Sequence, residues 1–198
     1  EMNLNLICIR HGQSEANVDV NIYYSKPDHL IELTELGLQQ AKYLKTNLEG
    51  HYGIKDNNRI ITSPWTRAKQ TANELQDLSD YTIIEDPLIH EMIVMASFEE
   101  MKNLKDFNDP KRHEFSPYWH KTGSSESYVD AYQRARIFIQ DLLLNRYGFN
   151  DNDNIFIVSH GIFLSMLEVA LNNQPIEKEK HLSNCKYFTH RLTNVREK

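Results

Sequence analysis

Short apolar runs alternate along this chain with longer stretches of helical spacing. Leu4-Asn5-Leu6-Ile7-Cys8-Ile9 reads as a mostly buried strand. A polar segment of little periodicity follows, to about His29. Thr34 then caps a predicted helix whose apolar face is Leu38, Ala41, Leu44 and Leu48. Arg59 to Thr62 is a short strand, and Ser63-Pro64 supplies a cap with proline in the first turn of a helix from about Pro64 to Leu75. Tyr81 to Glu85 is a third strand, ended by Pro87. A long helix runs from about Glu126 to Arg146, with Tyr128, Tyr132, Ala135, Ile139 and Leu142 on one face and Gly148 as its stop. Asn154 to Val158 is a fourth strand, Gly161 to Leu171 the helix after it, and Cys185 to Thr193 the last strand.

Strands alternating with helices predict an α/β fold, a three-layer α/β/α sandwich around a largely parallel sheet. No break in composition divides 2–198, so one domain is expected. The stretch of about 92–124 fits the alternation least and reads as a small cap insertion over one end of the sheet. Lys111, Arg112, His113, Tyr118, Trp119, His120 and Lys121 fall within it and suit a lid that reads a ligand, or an ordinary solvated loop.

Charge and cysteine content narrow the partners. The chain has 198 residues and a formal net charge of −6, which argues against a nucleic-acid polymer as ligand but leaves room for a locally positive pocket. No run is long and apolar enough to span a membrane, and no secretory signal pattern opens the chain. Cys8 and Cys185 lie far apart and lack the spacing of a zinc site, so two buried thiols in a reducing compartment, the cytosol, are expected. Asp151-Asn152-Asp153-Asn154 resembles half of a calcium loop but lacks its glycine and glutamate; a turn is expected there. An apolar edge strand could pair two copies into a homodimer.

In α/β sheets ligands bind beyond the carboxyl ends of the strands. After the first predicted strand come Arg10 and His11. The second is followed by Ser63 and, a helical turn on, Arg67. His90-Glu91 follows the third, and Ser159, His160 and Gly161 follow the fourth. This set suits phosphoryl transfer. Arginine forks match phosphate oxygens, and helices after Gly12 and Gly161 would point N–H groups the same way. A neutral imidazole can attack phosphorus, a second, protonated one can hold an equatorial oxygen, and a carboxyl group can protonate the leaving oxygen. A lone histidine or arginine at a loop start is as readily a cap or a surface charge; the ordered set is what favours chemistry. His29, His51, His90, His113, His120, His181 and His190 read as surface or local hydrogen-bonding groups, and Glu99 and His90 stand near Glu91 as alternative polar groups.

The opening motif is Arg10-His11-Gly12-Gln13-Ser14-Glu15-Ala16-Asn17. Further along stand Leu33-Thr34-Glu35-Leu36-Gly37 with Gln40-Ala41, Ser63-Pro64-Trp65-Thr66-Arg67-Ala68, Ser125-Glu126-Ser127 with Asp130 and Arg134, and Val158-Ser159-His160-Gly161. In this order the blocks resemble the histidine phosphatase superfamily, also called phosphoglycerate-mutase-like. The resemblance implies His11 as the phosphorylated nucleophile, Glu91 as proton donor, and Arg10, Arg67 and His160 as the phosphate pocket. Gly161, Ser14 and Asn17 match positions beside the phosphate. No metal or other cofactor is implied, and the partner is a small phosphorylated substrate.

Two departures bear on the reaction. Phosphoglycerate mutases carry Gly-Trp-x-Asp after the first motif, where this chain has Tyr23-Tyr24-Ser25-Lys26-Pro27-Asp28. They follow the acid with Arg-x-Tyr-Gly, where this chain has Met92-Ile93-Val94. Asn17-Val18-Asp19, Pro27-Asp28, Glu32-Leu33-Thr34-Glu35 and Asn184-Cys185 are similar to a plant and fungal subgroup of phosphoglycerate-mutase-like phosphatases. The expected activity is hydrolysis of a small phosphomonoester, a nucleotide or sugar phosphate among the candidates. A mutase is the second reading, and a non-catalytic phospho-ligand or partner-binding module the third.

Overall fold

A computed structural model describes residues 1–54, 56–93 and 125–197. The expected cap of 92–124 lies outside them but for Met92 and Ile93. Strand β1 spans Met2–Arg10, β2 Asn58–Thr62, β3 Ile84–Glu85, β4 Asn154–Ser159 and β5 Tyr187–Val195. Between them run helices α1 (Glu15–Val18), α2 (Glu35–Tyr52), α3 (Thr66–Glu74), α4 (Tyr128–Leu143) and α5 (Gly161–Leu171). The sheet order is β3-β2-β4-β1-β5, with β5 antiparallel to β1 and the other pairs parallel.

The apolar runs become a sheet covered on both faces because alternate side chains enter opposite cores. Leu4, Leu6 and Cys8 of β1 join Ile155 and Ile157 of β4 against Ala135 and Phe138 of α4 and Phe163 and Leu167 of α5. Ile7 and Ile9 join Phe156 and Val158 against Ala41, Leu44 and Leu48 of α2 and Ala68 and Ala72 of α3. This is the expected α/β/α arrangement. The helices after β1 and β2 therefore cover one face, and the helix after β4 covers the other. The carboxyl ends of these three neighbouring strands form the crevice where such sheets bind ligands.

At the opposite end of the strands, three asparagines stand in register. Asn5 and Asn58 are both paired with Asn154. The Asn154 Nδ2 donates to Asn58 Oδ1 at 2.9 Å, and Asn5 Nδ2 donates to Asn154 Oδ1 at 3.2 Å.

Several boundaries differ from expectation, each for a local reason. Helix α3 begins at Thr66, because Ser63 remains tied to the sheet through its N–H to Val158 O and its Oγ accepts from the Trp65 N–H. Strand β3 keeps only Ile84 and Glu85; the Tyr81 N–H is taken by Ser79 Oγ and its ring lies under the Arg59 guanidinium. Helix α4 starts at Tyr128 behind a capping box of Ser127 and Asp130. Strand β5 starts at Tyr187, after Cys185 adopts a φ of 55° and donates its N–H to Arg10 O. Gly37 rather than Leu38 completes the buried face of α2. The expected apolar edge is not found in β5, where Thr189, Arg191, Thr193 and Asn194 are exposed. Cys8 and Cys185 are both free and buried, and a turn falls at 151–152, with Asn152 at a φ of 64°, while Asn154 of the same run already opens β4. Among the described residues no helix is long and apolar enough to cross a membrane.

Candidate active site

The main chain leaves β1 at Arg10 and turns sharply through His11 and Gly12. His11 N–H stays on the sheet, donating to Ser159 O at 3.0 Å, and Gly12 N–H donates to Thr71 Oγ1 on α3 at 3.1 Å. The loop then packs against the first turn of α2 with no room for side chains between them. A Cβ on Gly12 would sit 2.5 Å from Gly37 O, and one on Gly37 would sit 2.1 Å from Gln13 O. Thr34, the N-cap of α2, adds hydrogen bonds to Gln13, and Gln40 accepts the Gln13 N–H.

This turn buries the His11 imidazole with a defined tautomer. Its Nδ1 lies 2.6 Å from Gly12 O. A carbonyl only accepts, so Nδ1 carries the proton and Nε2 keeps its lone pair. The Arg67 Nε–H, 3.3 Å away, donates to that Nε2. Burial above all, then the charges of Arg67 and Arg10, hold His11 well below the ordinary histidine pKa, against the pull of Gly12 O. The ring is therefore neutral near neutral pH.

His160 ends β4 beside it. The two rings are 5.2 Å apart at 64°, and His160 is fully buried. Its Nε2 meets Ser63 Oγ at 2.8 Å, while Nδ1 is buried without a hydrogen-bond partner among the described residues. Burial, then Arg67 and His11, push its pKa well below the ordinary value. The ring expected to be protonated is thus neutral in the structure as it stands. Trp65 packs edge-on to His160 and stacks on His90, so His90 belongs to the wall of the site rather than to the open surface.

The two arginines differ in how far they are committed. Arg10 donates through Nη1 to Leu182 O, but its Nε is buried with no partner among the described residues. Its guanidinium packs on Gly161, where a Cβ would come within 3.4 Å. Arg67 is more committed: Nε donates to His11 and Nη1 to Asp28 O at 2.7 Å, while Nη2 forms an ion pair with Asp28 Oδ1 at 3.1 Å outside hydrogen-bond geometry.

Glu91 reaches the same edge, partly buried, and fastens the start of α5. Its Oε1 accepts from the N–H of Phe163 at 2.9 Å and of Met92 at 2.8 Å, and its Oε2 accepts from Ile162 at 3.1 Å. The first-turn amides of α5, expected to point at phosphate, are thus partly taken by this carboxylate. Burial pushes Glu91 above the usual carboxylate range, against these hydrogen bonds and Arg67. Behind it, Arg134 clamps the main chain of 88–91 and is itself held by both oxygens of Glu126.

Ser14 and Asn17 sit in the following turn. The buried Ser14 hydroxyl and N–H both donate to Asn17 Oδ1, and Asn184 Nδ2 bridges Asn17 Oδ1 and His11 O. Ser14 therefore caps locally, and the exposed Asn17 keeps only its amide nitrogen for a ligand. Reading strand ends along the sequence missed Asp28, Asn184 and the Glu126–Arg134 pair as contributors, and placed Ser63 at the site without its bond to His160. The Pro27-Asp28, Asn184-Cys185 and Ser125-Glu126-Ser127 blocks were the available signals, without an assigned role. Among the described residues no group of three or more His, Cys, Asp or Glu side chains is placed to hold a metal ion.

Two buried histidines and two arginines at the carboxyl edge of a parallel α/β sheet define a class of phosphate-binding site. The chain belongs to the histidine phosphatase superfamily, branch 1, whose pattern matches residues 6–196. It is 28% identical over 196 residues to the phosphoglycerate mutase-like protein AT74 of Arabidopsis thaliana, covering 90% of this chain and 61% of that protein. The chain thus spans about three fifths of that relative's length. It is 29% identical over 177 residues to the adenosylcobalamin/alpha-ribazole phosphatase of Salmonella typhimurium, covering 87% of this chain and 81% of that one. Its fold matches mycobacterial glucosyl-3-phosphoglycerate phosphatase with a TM-score of 0.72 at 20% identity, over 96% of this chain and 90% of the other. A phosphoserine phosphatase mutant from Entamoeba histolytica, solved with phosphoserine, matches with a TM-score of 0.70 at 23% identity, over 94% and 89% of the two chains.

Proposed function

We propose that the protein hydrolyses a small phosphomonoester through a covalent phosphohistidine at His11. One observation carries this reading. The His11 ring is neutral with its Nε2 lone pair accepting from Arg67 Nε, while Arg10 Nε and His160 Nδ1 are buried with no partner among the described residues. Buried polar groups are nearly always hydrogen-bonded, so unpaired ones at a shared site suit a bound oxyanion.

The chemistry follows from these positions. Arg10 and Arg67 hold the phosphoryl oxygens, with Arg67 turning its Nε from His11 Nε2 to the substrate. The freed Nε2 attacks phosphorus, the N–P bond forms, and the P–O ester bond breaks. The positive charge that develops on the ring is shared by the Nδ1–H bond to Gly12 O. The departing oxygen takes a proton from the Glu91 carboxyl, for which a raised pKa suits it. Water then attacks the phosphohistidine, gives its proton to the Glu91 carboxylate, and inorganic phosphate leaves. His160 holds an equatorial oxygen; a bound dianion favours its protonated form, opposing the burial that keeps it neutral. Asn17, Ser14 and Gly161 shape the rim.

The cations in this scheme are protein side chains, so a chelator should not stop the reaction. Relatives named as phosphatases of alpha-ribazole phosphate, phosphoserine and glucosyl-3-phosphoglycerate support a small monoester as substrate. Two free buried thiols suit a reducing compartment such as the cytosol. The test is hydrolysis of p-nitrophenyl phosphate with chelator present, wild type against His11→Ala. Turnover and a phosphohistidine label lost in the variant are expected. Full activity in His11→Ala, or no wild-type activity across a broad panel of monoesters, overturns the reading.

A further inference from the structure

Asp28 occupies an unusual place for a carboxylate at a phosphate site. It opens a short turn, 28–30, that folds back over α3. Its main-chain oxygen accepts from Nη1 of Arg67, and its Oδ1 forms an ion pair with Nη2 outside hydrogen-bond geometry, on the same guanidinium whose Nε touches His11. The Asp28 side chain is 23% exposed and that of Arg67 only 5%, so the carboxylate forms part of the accessible rim while the guanidinium lies beneath it. The nearest lysine of the same loop does not neutralise Asp28: Lys26 is bound to Glu15 and Glu32. Tyr23 completes this side. Burial and the neighbouring Asp28 push its hydroxyl up to about 12, while Arg67 and Arg10 pull the other way.

We propose that Asp28, with Tyr23 beside it, reads the alcohol half of the substrate: it accepts hydroxyl or ammonium donors next to the ester and rejects a second anionic group there. The inference rests on the phosphomonoesterase reading and adds a substrate class to it. Arg67 turns its Nε toward His11 and both Nη atoms toward Asp28, so a phosphate held at Nε lies within the width of one guanidinium of the Asp28 carboxylate. A hydroxyl or ammonium group on its ester substituent can donate to the carboxylate. A carboxylate or second phosphate instead meets a like charge where much water is excluded, a discrimination of about tenfold or more. Tyr23 remains protonated at neutral pH and offers a hydroxyl to either class, so the sign of the selection comes from Asp28.

Glycerol 3-phosphate and 3-phosphoglycerate test this, since they differ mainly in a hydroxymethyl group against a carboxylate. Two readouts are needed: kcat/KM for wild type and Asp28→Asn, and dissociation constants by calorimetry on the His11→Ala chain with and without Asp28→Asn. Wild type should favour glycerol 3-phosphate by about tenfold in both, and Asp28→Asn should bring the ratio close to one by improving 3-phosphoglycerate. Phosphoethanolamine should lose affinity in the same variant. If Asp28→Asn weakens both esters by one factor, Asp28 only positions Arg67 and the proposal falls. A wild-type preference for 3-phosphoglycerate overturns it as well. If no ester is turned over, the hydrolytic reading fails while the binding ratio still decides the role of Asp28.

Discussion

Arg134 sits away from the proposed reacting atoms, yet it supports the main chain that carries Glu91, the proton donor of the proposed reaction. Its Nε and Nη2 bind Glu126 at 2.7 and 3.0 Å, its Nη1 binds the carbonyls of Leu88 and His90 at 2.6 and 3.0 Å, and Nη2 reaches Glu91 O at 3.4 Å. The guanidinium also lies 5.1 Å above the Phe163 ring. Arg134→Met keeps much of the stem but removes every one of these hydrogen bonds. It removes the cationic partner of the Glu126 carboxylate, whose side chain is 17% exposed and which keeps only the Ile93 N–H among the described residues, and leaves the carbonyls of Leu88 and His90 unpaired there. Removing one partner of a largely buried ion pair costs about 3 kcal/mol. In a chain of this size that corresponds to a fall in Tm of roughly 6–12 °C. The 88–91 main chain would then relax and carry the Glu91 carboxyl with it. A displacement of about 1 Å in a reacting group costs on the order of a hundredfold in rate. Thermal unfolding followed by circular dichroism, with steady-state kinetics on an alkyl phosphate well below the variant's Tm, measures both effects. The expected result is a large loss of kcat with KM within a few fold. A variant that loses stability but keeps its kcat would show that Glu91 is held by the amides of α5 alone. One whose Tm barely moves would show that the clamp is not under load.

Glu91 titrates above the usual carboxylate range because it is buried, so its acid form persists at mildly acidic pH and is lost as pH rises through that raised pKa. The kcat/KM for alkyl phosphates should therefore fall on the alkaline side, and Glu91→Gln should abolish that limb with a loss of about 10²–10⁴-fold. For p-nitrophenyl phosphate, whose leaving group needs no proton, the loss should be far smaller; equal losses in pH-rate profiles of the two esters would remove Glu91 as donor. Gly37→Ala would place a methyl group 2.1 Å from Gln13 O and force the His11 loop off α2. Denaturant unfolding should show a loss of about 1–3 kcal/mol, with a raised KM for phosphate esters, and an unchanged KM would mean that the loop absorbs the strain without moving His11.

The strands and the residues at their ends were legible because buried parallel strands are written as continuous apolar runs, with chemistry where each run stops. His11, Glu91, His160 and Arg10 could be placed in this way, and Arg67 followed one turn into the next helix. What the sequence hides are contacts made across the sheet edge by chain segments far apart. Asp28 meets Arg67 across 39 positions, Arg134 meets Leu88 across 46, and Ser63 meets His160 across 97. No periodicity encodes such pairs. Element starts were misjudged where the backbone was held by something other than its own helix or ladder. Trp65 is bonded to Ser63 Oγ, and Cys185 is bent into a left-handed conformation to reach Arg10 O.

The row of asparagines at the amino ends of β1, β4 and β2 acts at a distance from the chemistry. Nearly all other interior positions of these strands are aliphatic or aromatic and would tolerate sliding, since a slip of two residues returns each side chain to its own face. Asn5, Asn154 and Asn58 resist sliding: a slip would break this ladder and leave the buried amides of Asn154 and Asn58 unpaired. Each residue along a strand is worth about 3.3 Å, a large fraction of the 5.2 Å that separates the His11 and His160 rings. The amide row is thus a gauge set at one edge of the sheet for a measurement taken at the other. A polar-to-apolar exchange there would leave His11 and His160 chemically intact while removing what keeps them level with one another.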